Sequence, residues 1–240
     1  MKLKDDRCIL SVELPIMDNY PGFKFTPWNS KVFGIDAFEI DSVSVDSLER
    51  AKTMLGHHTI RVHPTTSKKL LHEYGFYYCD TLVEPFCAKL NFRAFESESV
   101  EMVHDVPIDL LIEICHGAFD YDHFHRDFNL LRELSDIRFD NWLSQLYFEG
   151  KVFGLLFQKE LVGFVALQEN CLALHAISLS KRGKGLAKFL WTPVCREIFD
   201  SGYKEVISSV SASNLAVVNL YSTLGFKFRN PVDIYHRFNR

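Results

Sequence analysis

Apolar and polar positions alternate in short runs along the first 95 residues. Runs near 8–14, 36–41, 58–63 and 76–90 have strand character, and apolar residues three and four apart predict helices over 45–55 and 67–74. The step Glu73-Tyr74-Gly75-Phe76 reads as a helix stop followed by a strand start. The most polar stretch between apolar runs is 95–107, which predicts a linker and divides the chain into 1–98 and 99–240.

The second segment is more regular. Pro107 suits the first turn of a helix through Cys115 that Gly117 ends. A polar, aromatic loop, 119–129, follows. Leu134, Ile137, Trp142 and Leu146 mark one face of a second helix, stopped by Gly150. Two strands (151–157 and 161–168) are joined by the tight connection 158–160, and a third runs over 171–180. A helix over 184–200, a strand over 204–211, a helix over 214–224 and a last strand after Gly225 complete the pattern. This order predicts an α/β fold with a mixed sheet. Both segments close on a helix, a Gly-Phe step and a strand (EYGFYY, TLGFKF), a hint of internal duplication.

Composition narrows the function. The 240 residues are 47% hydrophobic and 24% charged, with 27 Lys and Arg against 31 Asp and Glu for a net charge of −4. That balance argues against a nucleic-acid or anionic-membrane binder, which needs a basic surplus. No apolar stretch has the length of a membrane-spanning helix. The first 15 residues lack the apolar core of a secretory signal because Asp5, Asp6 and Arg7 come too early. Six cysteines, at 8, 79, 87, 115, 171 and 195, form no CxxC pair, so buried reduced thiols and a cytoplasmic location are expected.

The candidate chemistry centres on Arg182-Gly183-Lys184-Gly185-Leu186-Ala187, which follows a strand and opens a helix. Glycines allow close backbone approach, and N–H groups at a helix start point at an anion. A diphosphate suits such a loop; a plain strand-to-helix turn is the other reading. The Walker ending G-K-S/T is missing, and a dinucleotide fingerprint would come early in a βαβ unit. The loop resembles the coenzyme A loop of the GNAT superfamily of acyl-coenzyme A-dependent N-acyltransferases, with Arg182, Gly185 and Ala187 at its pattern positions. Asn214, Leu220, Tyr221, Leu224, Gly225 and Phe226 match a second motif of that family, with Val217 where Ala is usual. Trp28-Asn29-Ser30 through Phe33-Gly34 and Phe124-His125-Arg126-Asp127 with Ser135-Asp136 and Trp142 resemble WecD-like acyltransferases of nucleotide-linked amino-deoxysugars. Asn29 replaces an Asp of that pattern and Phe128 a Pro.

The resemblance implies a GNAT fold with an additional N-terminal α/β domain, itself a degenerate GNAT-like half. It implies acyl-CoA as co-substrate, its diphosphate on the N–H groups of Gly183 to Ala187, with Arg182 and Lys184 nearby. The pantetheine arm would pair with the strand that carries Ile177 and Leu179. Tyr221 would be the general acid for the departing thiolate, or else an aromatic core residue. Asn214 would be a plain cap of its helix, or would also hydrogen-bond the coenzyme. His175 is the candidate general base, with a water relay as its rival. Tyr121, His123, His125 and Arg126 in the 119–129 loop, with Asn29, would line the acceptor site. The His and Asp residues of that loop also admit a metal site, but direct acyl transfer needs no Lewis acid and no metal is expected.

The expected reaction moves an acetyl or short acyl group such as 3-hydroxybutyryl to the amine of a dTDP-linked amino-dideoxyhexose for surface polysaccharide. The alternatives are another amine acceptor (a protein N-terminus, polyamine or aminoglycoside) or a non-catalytic acyl-CoA-binding module. A homodimer through the sheet edge or the N-terminal domain is compatible with the pattern.

Overall fold

The computed structural model describes residues 22–240. The strand expected at 8–14 and Cys8 lie outside this range. The first run of elements is β1 (Phe23–Phe25), α1 (Pro27–Phe33), β2 (Ala37–Ile40), α2 (Val45–Thr53), β3 (Gly56–Val62), α3 (Lys69–Glu73) and β4 (Tyr77–Ala88). The second run begins with β5 (Val100–Val103), α4 (Ile108–Cys115), α5 (Arg132–Phe148), β6 (Val152–Phe157) and β7 (Glu160–Gln168). It continues with β8 (Cys171–Ile177), α6 (Ala187–Asp200), β9 (Glu205–Ser208), β10 (Val210–Ser211), α7 (Leu215–Thr223) and β11 (Lys227–Asn239). The mixed α/β architecture is the one expected. No helix among the described residues is long and apolar enough to cross a membrane.

Local chemistry explains most of the boundaries. Pro27 at the first turn and Gly34 in the left-handed conformation bracket α1, a helix the sequence pattern did not resolve. Ser44 and Ser47 form a reciprocal capping box on α2. The Asn214 side chain accepts from Val217 N at 3.3 Å and caps α7. Gln158 and Lys159 both take positive φ, which suits the two-residue hairpin between β6 and β7. The polar stretch expected to be a linker instead supplies β5, an edge strand antiparallel to β6. The strand expected over 171–180 stops at Ile177, and Leu179 falls in a short 3-10 turn, Leu179–Lys181.

The strands form one continuous sheet in the order β1-β2-β3-β11-β4-β9-β8-β7-β6-β5, with β10 paired to β4. Two similar units are visible in it. In each, a parallel pair is joined through a helix: β2 and β3 across α2, β8 and β9 across α6. Each pair is followed by a helix, a glycine of positive φ (Gly75, Gly225), a buried Phe (Phe76, Phe226) and a long strand. A Cβ at Gly225 would run into the carbonyl of Asn91, so only glycine fits there. The long strands are exchanged: β4 lies against β9, β11 lies against β3, and the two pair with each other at the centre. The sheet thereby crosses the boundary at 98/99.

Three hydrophobic clusters cover the sheet. One joins α6 and α7 to one face, including Leu190, Trp191, Val194, Ile198 and Tyr221. A second packs α4 and α5 on the opposite face through Leu111, Phe139, Leu143 and Leu146. The third holds α2 and α3 to the first unit through Leu48, Ile60 and Leu71. Cys79, Cys87, Cys115 and Cys195 are buried free thiols. Cys171, also buried, is disulfide-bonded, which corrects the expectation of a reduced thiol at that position.

Because β11 contributes Ile234 and Tyr235 to the buried interior between strands of both units, the units should unfold together. Calorimetry of the full chain is expected to give one transition, and removal of residues 227–240 is expected to abolish it; two separate transitions would contradict the shared sheet.

Candidate active site

The site begins with a failure of strand pairing. β8 and β9 pair in parallel only at Cys171↔Ile207 and Leu172↔Ser208. Beyond that point β8 stays with β7 as far as Ile177, while the continuation of β9, β10, stays with β4. A V-shaped gap therefore opens through the sheet between the second half of β8 and β10. The register of β8 against β7 shifts between Leu172 and Leu174, so Ala173 is an extra residue. That bulge turns His175 and Ile177 toward α6 and α7 while Leu174 and Ala176 face α4 and α5.

The structure brings His175 and Tyr221 together. Tyr221 is fully buried on α7, and its hydroxyl lies 2.9 Å from His175 Nε2. Burial pushes the His175 imidazole down to about 4, so it is neutral and Nε2 accepts the Tyr221 hydroxyl proton. Burial also holds the Tyr221 phenol well above its usual value, with the Ser208 and Trp191 side chains acting the other way. The edge of Trp191 packs against the His175 ring at 5.1 Å and fixes its orientation.

At one end of the gap lies the glycine loop. Gly183 and Gly185 sit at φ +72° and +71°, and no atom lies within 4 Å of where a Cβ would stand. Arg182 Nε donates to the Ile177 carbonyl at 2.9 Å and ties the loop to the end of β8. α6 starts at Ala187 behind Leu186, with no side-chain cap and no acidic residue in its first turn. Its leading N–H groups are therefore without side-chain acceptors, in a surround that includes Arg182, Lys184 and Lys188. Lys188 leans over the Phe95 ring at 4.8 Å. Leu179 does not extend the strand; it is 81% exposed in the turn before the loop.

The residues expected around the acceptor divide into two groups. Asn29 is buried, and its Oδ1 accepts from Arg138 Nε at 2.7 Å; Arg138 also stacks over Phe124 at 4.6 Å. The His125 ring is enclosed 3.0 Å from Asp136 Oδ1, and His123 is buried 2.8 Å from His236 Nε2. None of these three side chains faces solvent: His123 ties the loop to β11, His125 ties it to α5, and Asn29 ties α1 to α5. Tyr121 and Arg126 remain on the outer surface, joined by Phe128, which packs on Tyr77 at 4.6 Å.

The inner side of the 119–129 loop carries a residue to which the sequence reading gave no role. The buried Asp127 carboxylate accepts from His57 on β3 at 2.9 Å, His236 on β11 at 2.7 Å and Tyr77 on β4 at 2.8 Å. It also accepts from the Asn129 N–H at 2.8 Å. Burial alone would raise the Asp127 pKa, but hydrogen bonds from His236 and His57 outweigh it and hold the group far below the carboxylate range. His236 gives its Nδ1 proton to Asp127, so its Nε2 accepts from His123 Nδ1. One ligand atom from each of His57, Asp127 and His236 lies within 4.8 Å of the others, the spacing of a metal group. Their hydrogen bonds already account for the arrangement. The signal in the sequence was a pair of histidines, His57 and His236, in two strand-forming segments far apart in the chain.

Residues 114–226 match the family model described as Acetyltransferase (GNAT) family. No curated protein matches this chain. Among solved structures, a GCN5-related N-acetyltransferase from Sphaerobacter thermophilus aligns with a TM-score of 0.63 at 12% identity, over 90% of this chain and 75% of its own. A functionally unknown conserved protein from Staphylococcus epidermidis aligns with a TM-score of 0.60 at 13% identity, over 95% of this chain and 99% of its own. A tandem GNAT protein from the clavulanic acid biosynthesis pathway aligns with a TM-score of 0.51 at 10% identity, over 84% and 74%. At these identities the likeness concerns the fold.

The clamp and the buried imidazoles make two predictions. Asp127→Asn turns an acceptor toward donors that then lack one, and is expected to cost about 3 kcal/mol in urea unfolding. Burial, as the leading cause, lowers His58, His175 and His236 to about 4 each. Unfolded histidines titrate near ~6.5, so between these values the unfolded chain binds more protons. Stability is present above ~6.5 and is lost as pH falls toward about 4, opposed in part by His125 and Asp80, whose values are raised. A melting temperature that fails to drop between pH 7 and 4.5 would contradict this.

Proposed function

We propose that this chain is a member of the GNAT acetyltransferase superfamily and transfers an acyl group from acyl-CoA to an amine entering on the α4–α5 face, a reading that the family match over 114–226 and the fold support. The observation that carries the reading is the pairing break between β8 and β9, with Tyr221 and His175 together on one face of it. The loop from Gly183 to Ala187 binds the diphosphate through backbone N–H groups and the positive end of α6. The free edge of β8 near Ile177 pairs with the amide-bearing arm as an added strand. Its backbone N–H then lies beside the thioester oxygen, where it stabilises developing negative charge.

Tyr221 gives its proton to the sulfur as the carbon–sulfur bond breaks. A phenol held fully protonated by burial suits a donor role. His175 takes a role different from the expected base: its Nε2 already accepts from Tyr221, so it positions the hydroxyl and helps restore its proton. Asn214 caps α7 and so sets the start of the helix that carries Tyr221.

For the acceptor, we favour the amine of a nucleotide-linked amino-deoxysugar such as a dTDP-linked amino-dideoxyhexose. Support comes from the resemblance at 28–34 and 124–142 and from the outward Tyr121, Arg126 and Phe128, which suit a ring and a diphosphate. A different amine is favoured by one observation: Asn29 and His125 of those motifs are engaged inside the protein, so the motifs also serve the fold. An amine panel with acetyl-CoA separates the two readings. Preference for peptides or polyamines over nucleotide-sugars selects the second.

Tyr221→Phe is expected to lower kcat about 100-fold with acetyl-CoA affinity unchanged. Unchanged turnover and pH profile would remove the acid role. Gly185→Val forces a branched residue to positive φ at the loop and is expected to weaken acetyl-CoA binding about tenfold, measured by calorimetry.

A further inference from the structure

The wall of the gap opposite His175 carries polar groups that acyl transfer as described above does not use. β4 and β10 pair at Val83↔Val210 and Leu82↔Ser211, and Ala212 N donates to the Thr81 carbonyl at 2.8 Å. Asp80 is the next residue along β4. Its Oδ1 accepts from Ser211 Oγ and from Arg126 Nη1, each at 2.8 Å. Arg126 Nη1 also donates to Ser213 Oγ at 3.1 Å. Arg126 comes from the 119–129 loop, so the cluster lies on the α4–α5 face, across the sheet from Tyr221. The Asp80 carboxyl is completely buried, yet its Oδ2 has no hydrogen-bond partner.

A buried carboxylate oxygen without a donor is costly in a folded protein, and a ligand donor offsets that cost. We propose that Asp80 Oδ2 receives the ammonium of the acceptor and takes its proton. Arg126, held beside it, receives an anionic group of the same molecule, so the site selects an amine with a phosphate or carboxylate close to it. This rests on the acyl-transfer reading and assigns the acceptor wall to a strand of the first unit.

The proton balance is complete. Asp80 removes one proton from the ammonium and passes it to water. The freed nitrogen lone pair forms the new carbon–nitrogen bond as the carbon–sulfur bond breaks. Tyr221 protonates the sulfur, and the second proton leaving nitrogen returns to Tyr221 by way of His175. The charged groups facing Asp80 are Arg126 and Asp122, both from the 119–129 loop, with the Ser211 hydroxyl donating to Oδ1 and the Thr81 N–H nearby. Burial is the largest influence and raises Asp80 to about 6, where proton uptake from an amine is better matched than for an ordinary carboxylate.

The test reads Asp80 directly. In carbon-13 NMR of the parent protein, the carboxyl signal lost in Asp80→Asn is expected to titrate near the raised value. Saturating ethanolamine phosphate should lower that midpoint, and ethanolamine should do so less; β-alanine as a third probe separates a carboxylate from a phosphate preference. Asp80→Asn should lower kcat/KM for a dTDP-linked amino-dideoxyhexose about 100-fold and remove its acidic limb, with acetyl-CoA affinity unchanged. Arg126→Gln should erase the preference for probes that carry an anion. A midpoint unmoved by every probe, or an Asp80→Asn rate equal to the parent's, overturns the inference. Failure of the parent to bind acetyl-CoA overturns the acyl-transfer reading instead, and the Asp80 titration still reports on the amine site in that case.

Discussion

One buried carboxylate fixes how the two halves of this molecule meet. Asp127 takes hydrogen bonds from side chains on β3, β11 and β4, three neighbouring strands at the centre of the sheet. Two of those strands come from the first unit and one from the end of the chain. An ionised carboxylate in such a place is tolerated only when donors surround it. Here those donors also anchor the 119–129 loop, so sheet assembly and loop position are set by the same contacts. The neutral imidazole chain from His123 through His236 follows from this, because Asp127 dictates which nitrogen of His236 carries the proton.

Held at its inner side, the loop keeps an exposed outer side. Phe124 and Asp127 are buried, whereas Tyr121, Arg126 and Phe128 are exposed. Arg126 is in turn tethered by Asp80, one residue before the stretch of β4 that meets β10. The exchange of long strands has the same effect on a larger scale. With β4 seated beside β9, a strand of the first unit becomes a wall of the gap in the second. Neither unit alone would own both sides of that gap.

The sequence was most informative where chemistry is local. The glycine loop, the cap at Asn214 and the helix bearing Tyr221 rest on near-neighbour rules, and each lies on the element expected for it. Pairing between His175 and Tyr221, 46 residues apart, was beyond reach because it depends on the bulge at Ala173. The exchanged strands were hidden for a similar reason. Alternation tells a strand from a helix, but not which strand it sits beside. Asn29 and His125 illustrate a different limit: a motif marks residues under constraint, and internal hydrogen bonds to Arg138 and Asp136 constrain as firmly as a substrate would.

The two units differ in how their parallel strands and following helices are arranged. β2 and β3 stay paired over four successive positions, so no gap opens between them. The turn after β2 is Asp41-Ser42-Val43-Ser44, without glycine and with an acid in place of Arg182 and Lys184. The start of α2 is filled by the Ser44–Ser47 capping box and carries Asp46 in its first turn. Its N–H groups are thereby less available to an anion, whereas those of α6 lack any side-chain cap. Leu71 stands five residues before Phe76, as Tyr221 stands before Phe226, and offers no proton. What the first unit keeps is a place in the sheet, and through β4 it uses that place to build the other unit's site.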